Sequence, residues 1–246
     1  MKKIRWQVIA GISLLLLSII TYLIDYAIFG NARDIFFYLI LDIAFVPIQV
    51  LLITLIIQRL LETREKQARL EKLNMVIGAF FSEVGTRLLT SFSDYDPSLD
   101  KIRKELMVNN SWDAVAFTNV TVRLKSYIYT IDIRKVNLPE LRTFLVTKRS
   151  FLLGLLENSS LLEHESFTDQ LWAVFHLTEE LENRTDFSNL PESDLEHIAG
   201  DIKRAYALLV NEWLAYMQHM KDNYPYLFSL AMRKNPFDQN ASAIVM

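Results

Sequence analysis

Residues 35–58 read IFFYLILDIAFVPIQVLLITLIIQ, and Asp42 carries the one charge among them. Residues 6–29 are similar, with Asp25 as their one charged residue. Each stretch exceeds the ~20 residues that a helix needs to cross a hydrocarbon layer of ~30 Å. Both are apolar on every side rather than along one face, which is typical of helices that lie in lipid. The sequence therefore predicts two transmembrane helices, which form a hairpin within residues 1–61.

Basic residues flank these stretches on one side of the predicted membrane. Three precede the first stretch and five follow the second within residues 59–72, whereas residues 30–34 carry one basic and one acidic residue. Because short cytoplasmic loops are enriched in Lys and Arg, we expect a multi-pass protein of the cell inner membrane with both termini cytoplasmic. The alternative is a signal peptide cleaved after Ala32, but the first apolar stretch is longer than the usual core of about 7 to 15 residues.

Polar side chains within the predicted spans are candidate functional residues. Charged groups at membrane depth are costly, so they usually face water or a partner. Asp42 and Gln49 lie on one helix and could line an ion path. Alternatively, Asp42 is protonated or hydrogen-bonded to a neighbouring helix. Asp25 lies closer to the lipid headgroups and needs less explanation.

The second predicted span continues as a juxtamembrane helix over residues 62–92. Neither Gly nor Pro occurs between Gln49 and Val76. An apolar seam with intervals of three and four residues indicates an amphipathic or coiled-coil helix; it consists of Leu70, Leu73, Ile77, Phe80, Val84 and Leu88. Gly78, Ser82 and Gly85 form a second face of small residues. Such a face allows close helix approach, either between subunits or within one subunit.

Residues 93–246 have helical spacing of apolar residues between several helix-start signals. The signals lie at Asp96, at Ser111, at Asn137, at Ser159 or Ser160, and at Asn189. Residues 120–133, which are rich in β-branched and aromatic side chains, leave a strand open as an alternative. We therefore predict an all-α cytoplasmic bundle of about five or six helices.

Charge is segregated within this bundle. Residues 101–149 hold ten basic and four acidic residues, whereas residues 150–201 hold twelve acidic residues and one basic residue. The basic part could face an anionic membrane surface. Alternatively, the two parts pack together as complementary helices. The total charge of −3 does not point to nucleic acid.

No catalytic motif occurs in the chain, so we expect no enzyme, cofactor or metal. The absence of cysteine excludes disulfides and thiolate metal sites. His176 with Glu179 or Glu180, and Asp194 with His197, place a histidine near a carboxylate on one helix face. Bundle di-iron sites use Glu-x-x-His from two helices and two further glutamates, so the match is poor.

The segment after residue 223 combines aromatic, apolar and basic residues. Tyr224, Phe228, Arg233 and Lys234 are candidates for docking to a partner or to the membrane surface. Alternatively, the segment is a final helix that caps the bundle.

Two blocks, LEKLNMVIGAFFSEVG at residues 70–85 and YPYLFSLAMRKNPFD at residues 224–238, resemble the corresponding text of uncharacterised prokaryotic two-span membrane proteins. The resemblance covers most of the chain. It implies the same architecture and carries no activity, ligand or catalytic residue.

These features favour a membrane-anchored helical scaffold or signalling protein. Its expected partners are the lipid bilayer and either another protein or a second copy of itself. The alternative is a small oligomeric ion channel or membrane-active effector with Asp42 in the pore region.

Overall fold

The computed structural model describes residues 2–158, 161 and 164–245. Within these ranges the chain forms helices, turns and irregular segments without a β-strand, which confirms the all-α prediction. The strand left open as an alternative at residues 120–133 does not form. Its first half belongs to a helix that ends at Ser126, and a 3₁₀ turn, Ile133–Lys135, closes it.

The chain divides into two compact units, residues 1–66 and residues 67–246. The first contains helix α1, Lys2–Phe29, and the first part of helix α2, Ala32–Phe80. Gly30 separates the two helices with a φ of 65°, a left-handed conformation that favours glycine at a helix end. Its N–H donates to the carbonyl of Tyr26 at 2.9 Å, which satisfies one terminal acceptor of α1.

Helix α1 from Val8 and helix α2 from Ala32 are long and apolar enough to cross a membrane. None of the residues in their most apolar windows is buried. Helix α2 runs without interruption to Phe80, as predicted, and Pro47 lies inside it.

The second unit is a helical bundle, and it contains the end of α2. Its further helices are α3, Thr86–Asp94; α4, Ala114–Ser126; α5, Leu138–Leu156; α6, Glu165–Glu182; α7, Glu192–Asn223; and α8, Pro225–Arg233. The long helix α7 packs against α3, α4, α6 and α8, and α5 packs against α6. The predicted juxtamembrane segment 62–92 is therefore divided between the two units: residues 62–66 belong to the first unit, and residues 67–92 belong to the bundle.

The apolar seam of this segment faces the core of its own unit. Leu73, Ile77, Phe80, Val84 and Leu88 are each at most 5% exposed. The ring of Phe80 packs edge to face against Phe167 of α6, with centroids 5.5 Å apart. The seam thus packs against other helices of the bundle, and these contacts give no support to a coiled coil with a second copy. The Leu70 side chain lies outside the described part of the structure.

A π-helical turn, Phe81–Gly85, joins α2 to α3. The sequence pattern did not predict it, because the apolar spacing on either side is compatible with a regular α-helix. Such turns enclose one more residue than an α-helical turn and often lie at functional sites.

Helix starts agree with the sequence signals to different degrees. Asn137 caps α5 as predicted, with its Oδ1 accepting from the N–H of Glu140 at 3.2 Å. The start predicted at Ser111 is corrected to Asp113, whose carboxylate accepts from Ala116 at 2.8 Å. The start predicted at Asn189 falls later, at Glu192. Ser159 and Ser160 lie outside the described residues.

The oppositely charged segments pack together within the bundle. Arg149 of α5 contacts Glu182 of α6 at 2.9 Å, and the Arg142 guanidinium donates to the carbonyl of Leu181 at 3.1 Å. Arg134 contacts Glu192 at 3.3 Å. These contacts support the interpretation that the two segments complement each other.

Candidate functional site

A cavity of about 530 Å³ lies between the end of α2, the π-helical turn, α7 and α8. Its volume falls within the ~300–1,000 Å³ that is usual for ligand pockets. The wall is mainly apolar and includes Met75, Met217, Met220, Leu227 and Leu230.

Gly78 and Tyr216 form one part of the cavity wall. The Tyr216 hydroxyl lies 2.9 Å from the position that a Cβ would occupy on Gly78. The Tyr216 ring stacks on Phe81, with centroids 5.3 Å apart. Gly78 therefore allows close approach of α7 from the same subunit. This contact favours packing within one subunit over packing between subunits for this residue.

The other two small residues have different surroundings. Ser82 is exposed and lines the cavity. Gly85 is buried, and a Cβ on it would meet the rings of Phe80 and Phe81.

His219 is one of the polar residues in the cavity wall. The side-chain amides of Asn74 and Asn223 lie 3.2 and 3.1 Å from its Nδ1. Because these atoms are amide nitrogens, they donate, and the imidazole proton is then on Nε2. That Nε2 is buried and has no hydrogen-bond partner among the described residues. Burial lowers the pKa of His219, against an opposing effect of the Asp222 carboxylate.

The C-terminal docking candidates are divided between cavity and core. Tyr224 and Lys234 line the cavity. Phe228 is 2% exposed, so its ring is a core contact and is not available to a partner as the docking hypothesis required. Arg233 donates to the hydroxyl of Ser229 at 3.0 Å, within α8.

The cavity thus unites residues that the sequence singled out separately, namely Gly78 and Ser82 with Tyr224 and Lys234. The sequence pattern did not single out His219. The spacing of Tyr216, His219 and Met220 on one helix face is the signal that could have placed it beside the apolar wall. Chemically, the site can enclose apolar groups.

A second cluster joins α6 to α7. The Asp201 Oδ2 lies 3.5 Å from the Nε2 of His176 and 3.5 Å from the Nε2 of His197. Glu180 lies 3.6 Å from His197 and 3.9 Å from His176. Histidine and carboxylate in this arrangement are ligand types for divalent metal ions. The sequence pattern relates residues within single helices, so it could not show that both histidines contact Asp201.

A buried carboxylate also organises the segment before α5. Asp96 accepts from the Tyr127 hydroxyl at 2.7 Å, the Thr130 hydroxyl at 2.7 Å and the Ser98 N–H at 2.9 Å. Asp96 was predicted to start a helix, and a short 3₁₀ turn follows it at Leu99–Lys101. Its contacts hold a loop in place.

The polar candidates of the first unit lie on its two helices. Asp42 and Gln49 are exposed on α2, and Asp25 is half-buried on α1.

Two family descriptions match the chain. Residues 2–61 match "MJ1433, N-terminal helical domain", and residues 69–233 match "Uncharacterized protein MJ1433, C-terminal helical domain". The uncharacterised protein MJ1433 of Methanocaldococcus jannaschii is 48% identical over 241 residues, which are 98% of this chain and 96% of the relative. No solved structure matches.

The two matches meet near the boundary between the structural units, since they end at residue 61 and begin again at residue 69. The matches confirm that the chain resembles an uncharacterised family, and both family descriptions are of helical domains. Together with the identity to the archaeal relative over nearly the whole length of both proteins, these matches show that the chain belongs to the MJ1433 family.

Proposed function

We propose that this protein is a membrane-anchored interaction protein, in which α1 and the first part of α2 hold the helical bundle at the cytoplasmic face of the membrane. The observation that carries the proposal is the exposure of both apolar helices. Their most apolar windows have none of their residues buried.

Exposed apolar surface of this extent is unfavourable in water. Burial of apolar surface contributes about 25 cal/mol per Å², and soluble monomers rarely expose apolar patches larger than a few hundred Å². Leu14, Leu15, Leu16 and Leu17 are each more than half exposed. A lipid bilayer would cover this surface without requiring a protein partner for either helix.

The cavity beside α8 is the proposed interaction site. Met75 is 65% exposed, and Leu227 and Leu230 are each 41% exposed. Leu227 and Leu230 are three residues apart and lie on one face of α8. Methionine is unbranched and adaptable, and it is common on surfaces that bind apolar helices. We therefore assign to this site an apolar helix of a partner protein, with Lys234 near an acidic side chain of that helix.

The anchor can be tested with single cysteines, because the chain has no native cysteine. Asn31→Cys lies between α1 and α2, and Asn240→Cys lies near the C-terminus. A membrane-impermeant maleimide should label Asn31→Cys on intact cells and Asn240→Cys only after permeabilisation. Recovery of the protein in the soluble fraction, or labelling of Asn240→Cys on intact cells, would contradict the proposal.

The interaction site can be tested by photo-cross-linking in native membranes. A photoreactive residue at Leu230 should give a discrete product with a second protein. The same residue at Val122 of α4 is a matched control, because that side chain is exposed and lies outside the cavity wall. Identical products from both positions, or none from Leu230, would argue against a partner in this cavity.

The oligomeric channel stays a prediction from the sequence. Within the described residues, no contact of Asp42 or Gln49 with another helix favours it.

A further inference from the structure

We propose that His176, Glu180, His197 and Asp201 bind one divalent transition-metal ion between α6 and α7. This site is separate from the cavity and does not depend on the proposed interaction function. None of the four residues lines that cavity.

The two helices present the same ligand spacing to each other. His176 and Glu180 are four residues apart on α6, and His197 and Asp201 are four residues apart on α7. Residues four apart lie on one face of a helix. The contacts cross, with His176 facing Asp201 and Glu180 facing His197, as expected for two antiparallel helices joined by residues 183–191.

Three of the histidine–carboxylate pairs are already close to the spacing that a bound ion requires. Zinc–nitrogen and zinc–oxygen bonds of about 2.0–2.2 Å place neighbouring ligands of a tetrahedral site about 3.3–3.6 Å apart. The contacts of Asp201 with the two histidines and of Glu180 with His197 are 3.5, 3.5 and 3.6 Å. The ligand atoms of His176, Glu180 and His197 all lie within 4.8 Å of one another. Small side-chain rotations would therefore complete the coordination.

Asp201 gives an independent indication of a ligand. Its side chain is 3% exposed, and among the described residues its buried Oδ2 has no hydrogen-bond partner. The other oxygen contacts Arg204 at 3.2 Å. An unsatisfied buried charged group costs more than the ~1–3 kcal/mol of a neutral one. Because Oδ2 faces two imidazole nitrogens, a single cation between them would satisfy all three groups.

Hydrogen bonds from the two imidazoles are the competing explanation. Each Nε2–H could donate to Asp201, but both N···O distances are 3.5 Å, which is long for a hydrogen bond. A metal ion uses both nitrogens and the Glu180 carboxylate at once. The two explanations differ in whether the protein takes up metal.

A second layer of contacts orients Glu180. Arg184 donates to its Oε2 at 2.8 Å and binds the Asp194 carboxylate at 2.9 and 2.6 Å. The carboxylate is thus held in position, which is the usual role of residues around a metal site.

The donor set indicates the class of ion. Two imidazole nitrogens and two carboxylates suit Zn²⁺, Fe²⁺, Co²⁺ or Mn²⁺, whereas Mg²⁺ and Ca²⁺ prefer oxygen ligands alone. The His176 and His197 side chains are 44% and 52% exposed, so an ion can enter from solvent. Water can occupy the remaining positions on that side.

The test uses the full chain in mild detergent after removal of metal with a chelator. Equilibrium dialysis against Zn²⁺ should show one tight site per chain, and Mg²⁺ at the same concentration should not compete. Co²⁺ should give visible d–d absorption that reports nitrogen and oxygen ligands. His176→Ala, His197→Ala and Asp201→Asn should each weaken Zn²⁺ binding by about 100-fold or more, since even outer contacts contribute about 10- to 100-fold.

His164→Asn is the matched control. It removes a histidine from the start of α6, where His164 Nδ1 accepts from the N–H of Phe167 at 3.3 Å, and it keeps a capping acceptor. This variant should bind Zn²⁺ as the wild type does. Equal binding by His197→Ala and wild type, the absence of Zn²⁺ uptake, or equal affinity for Mg²⁺ would overturn the proposal.

Thermal unfolding keeps the test informative if a ligand variant is less stable. Zn²⁺ should raise the melting temperature of the wild type and of His164→Asn, because it binds the folded state. It should leave the melting temperature of Asp201→Asn unchanged. An equal rise in Asp201→Asn would show that the ion binds elsewhere.

Discussion

The Gly85 backbone lies directly against the ring of Phe81: a Cβ on Gly85 would be 2.6 Å from the Phe81 Cδ1. It would also be 2.8 Å from Cε1 of Phe80. Both rings are buried, at 2% and 0% exposure, so neither can move aside freely. Glycine at this position therefore permits the packing of two aromatic rings beneath the π-helical turn.

Gly85→Ala should destabilise the bundle by about 1–3 kcal/mol, because overpacking costs more than the helix propensity that alanine adds. Gly154→Ala is the matched control, since nothing lies within 4 Å of a Cβ on Gly154 of α5. That control should stabilise by about 0.5–1 kcal/mol. Urea denaturation in detergent measures both free energies of unfolding. A Gly85→Ala protein as stable as the wild type would contradict the packing argument.

Asp96→Ala should destabilise the bundle by about 2–5 kcal/mol, because it leaves two hydroxyl groups and the Ser98 N–H without their acceptor. Burial, followed by the hydrogen bond to Asp96, raises the pKa of Tyr127, so its phenol stays a protonated donor.

Tyr127→Phe removes one of these donors and should cost less, about 1–2 kcal/mol. The double variant should cost less than the sum of the two single changes, because both act on one hydrogen bond. Additive losses in urea denaturation would show that Asp96 and Tyr127 act separately.

His219 should make stability depend on pH. Its folded pKa lies below the unfolded value, so the neutral form fits the fold better. This contribution is present above about pH 6.5, the unfolded value, and is lost as pH falls through the folded pKa. The facing groups are Asn74 and Asn223 with the Tyr224 ring, and Asp222 opposes the shift.

His219→Gln keeps a polar side chain that does not titrate. Wild-type stability should therefore fall more steeply than that of His219→Gln between about pH 6.5 and pH 5. Thermal melts of both proteins across this range provide the measurement. Parallel pH profiles would show that His219 does not contribute.

Asp42→Leu separates an anchor from an ion path. If α2 serves as an anchor, the variant should keep its membrane localisation and its cross-linking at Leu230. If Asp42 belongs to a pore, purified wild-type protein should conduct ions in liposomes and the variant should not. Ion flux that depends on Asp42 would replace the anchor proposal with the channel.

Much of the architecture followed from apolar spacing alone. The two long apolar stretches, the continuity of α2 to Phe80 and the cap at Asn137 all depend on local chemistry. Periodicity also identified the buried seam from Leu73 to Leu88. It could not show that the seam packs within its own subunit, because periodicity identifies a buried face but not the helix that covers it.

The same limit explains the two sites. His176 and His197 each lie beside a carboxylate on their own helix. Their common contact with Asp201 appears only when α6 packs against α7. The cavity likewise could not be predicted, because it forms only when α8 packs near the end of α2. The crossed pairs of histidine and acid four residues apart were visible in the sequence. They become meaningful only once the two helices are known to be antiparallel neighbours.

The π-helical turn is a place where the chain could lose one residue. A turn closed by hydrogen bonds five residues apart holds one residue more than an α-helical turn needs. Loss of one residue within Phe81–Gly85 would convert it to α-helix while the apolar faces of α2 and α3 keep their orientation toward the core. Elsewhere along these helices, the same deletion would rotate every following side chain by about 100°. Residues 81–85 are thus where a relative could be one residue shorter without repacking its bundle.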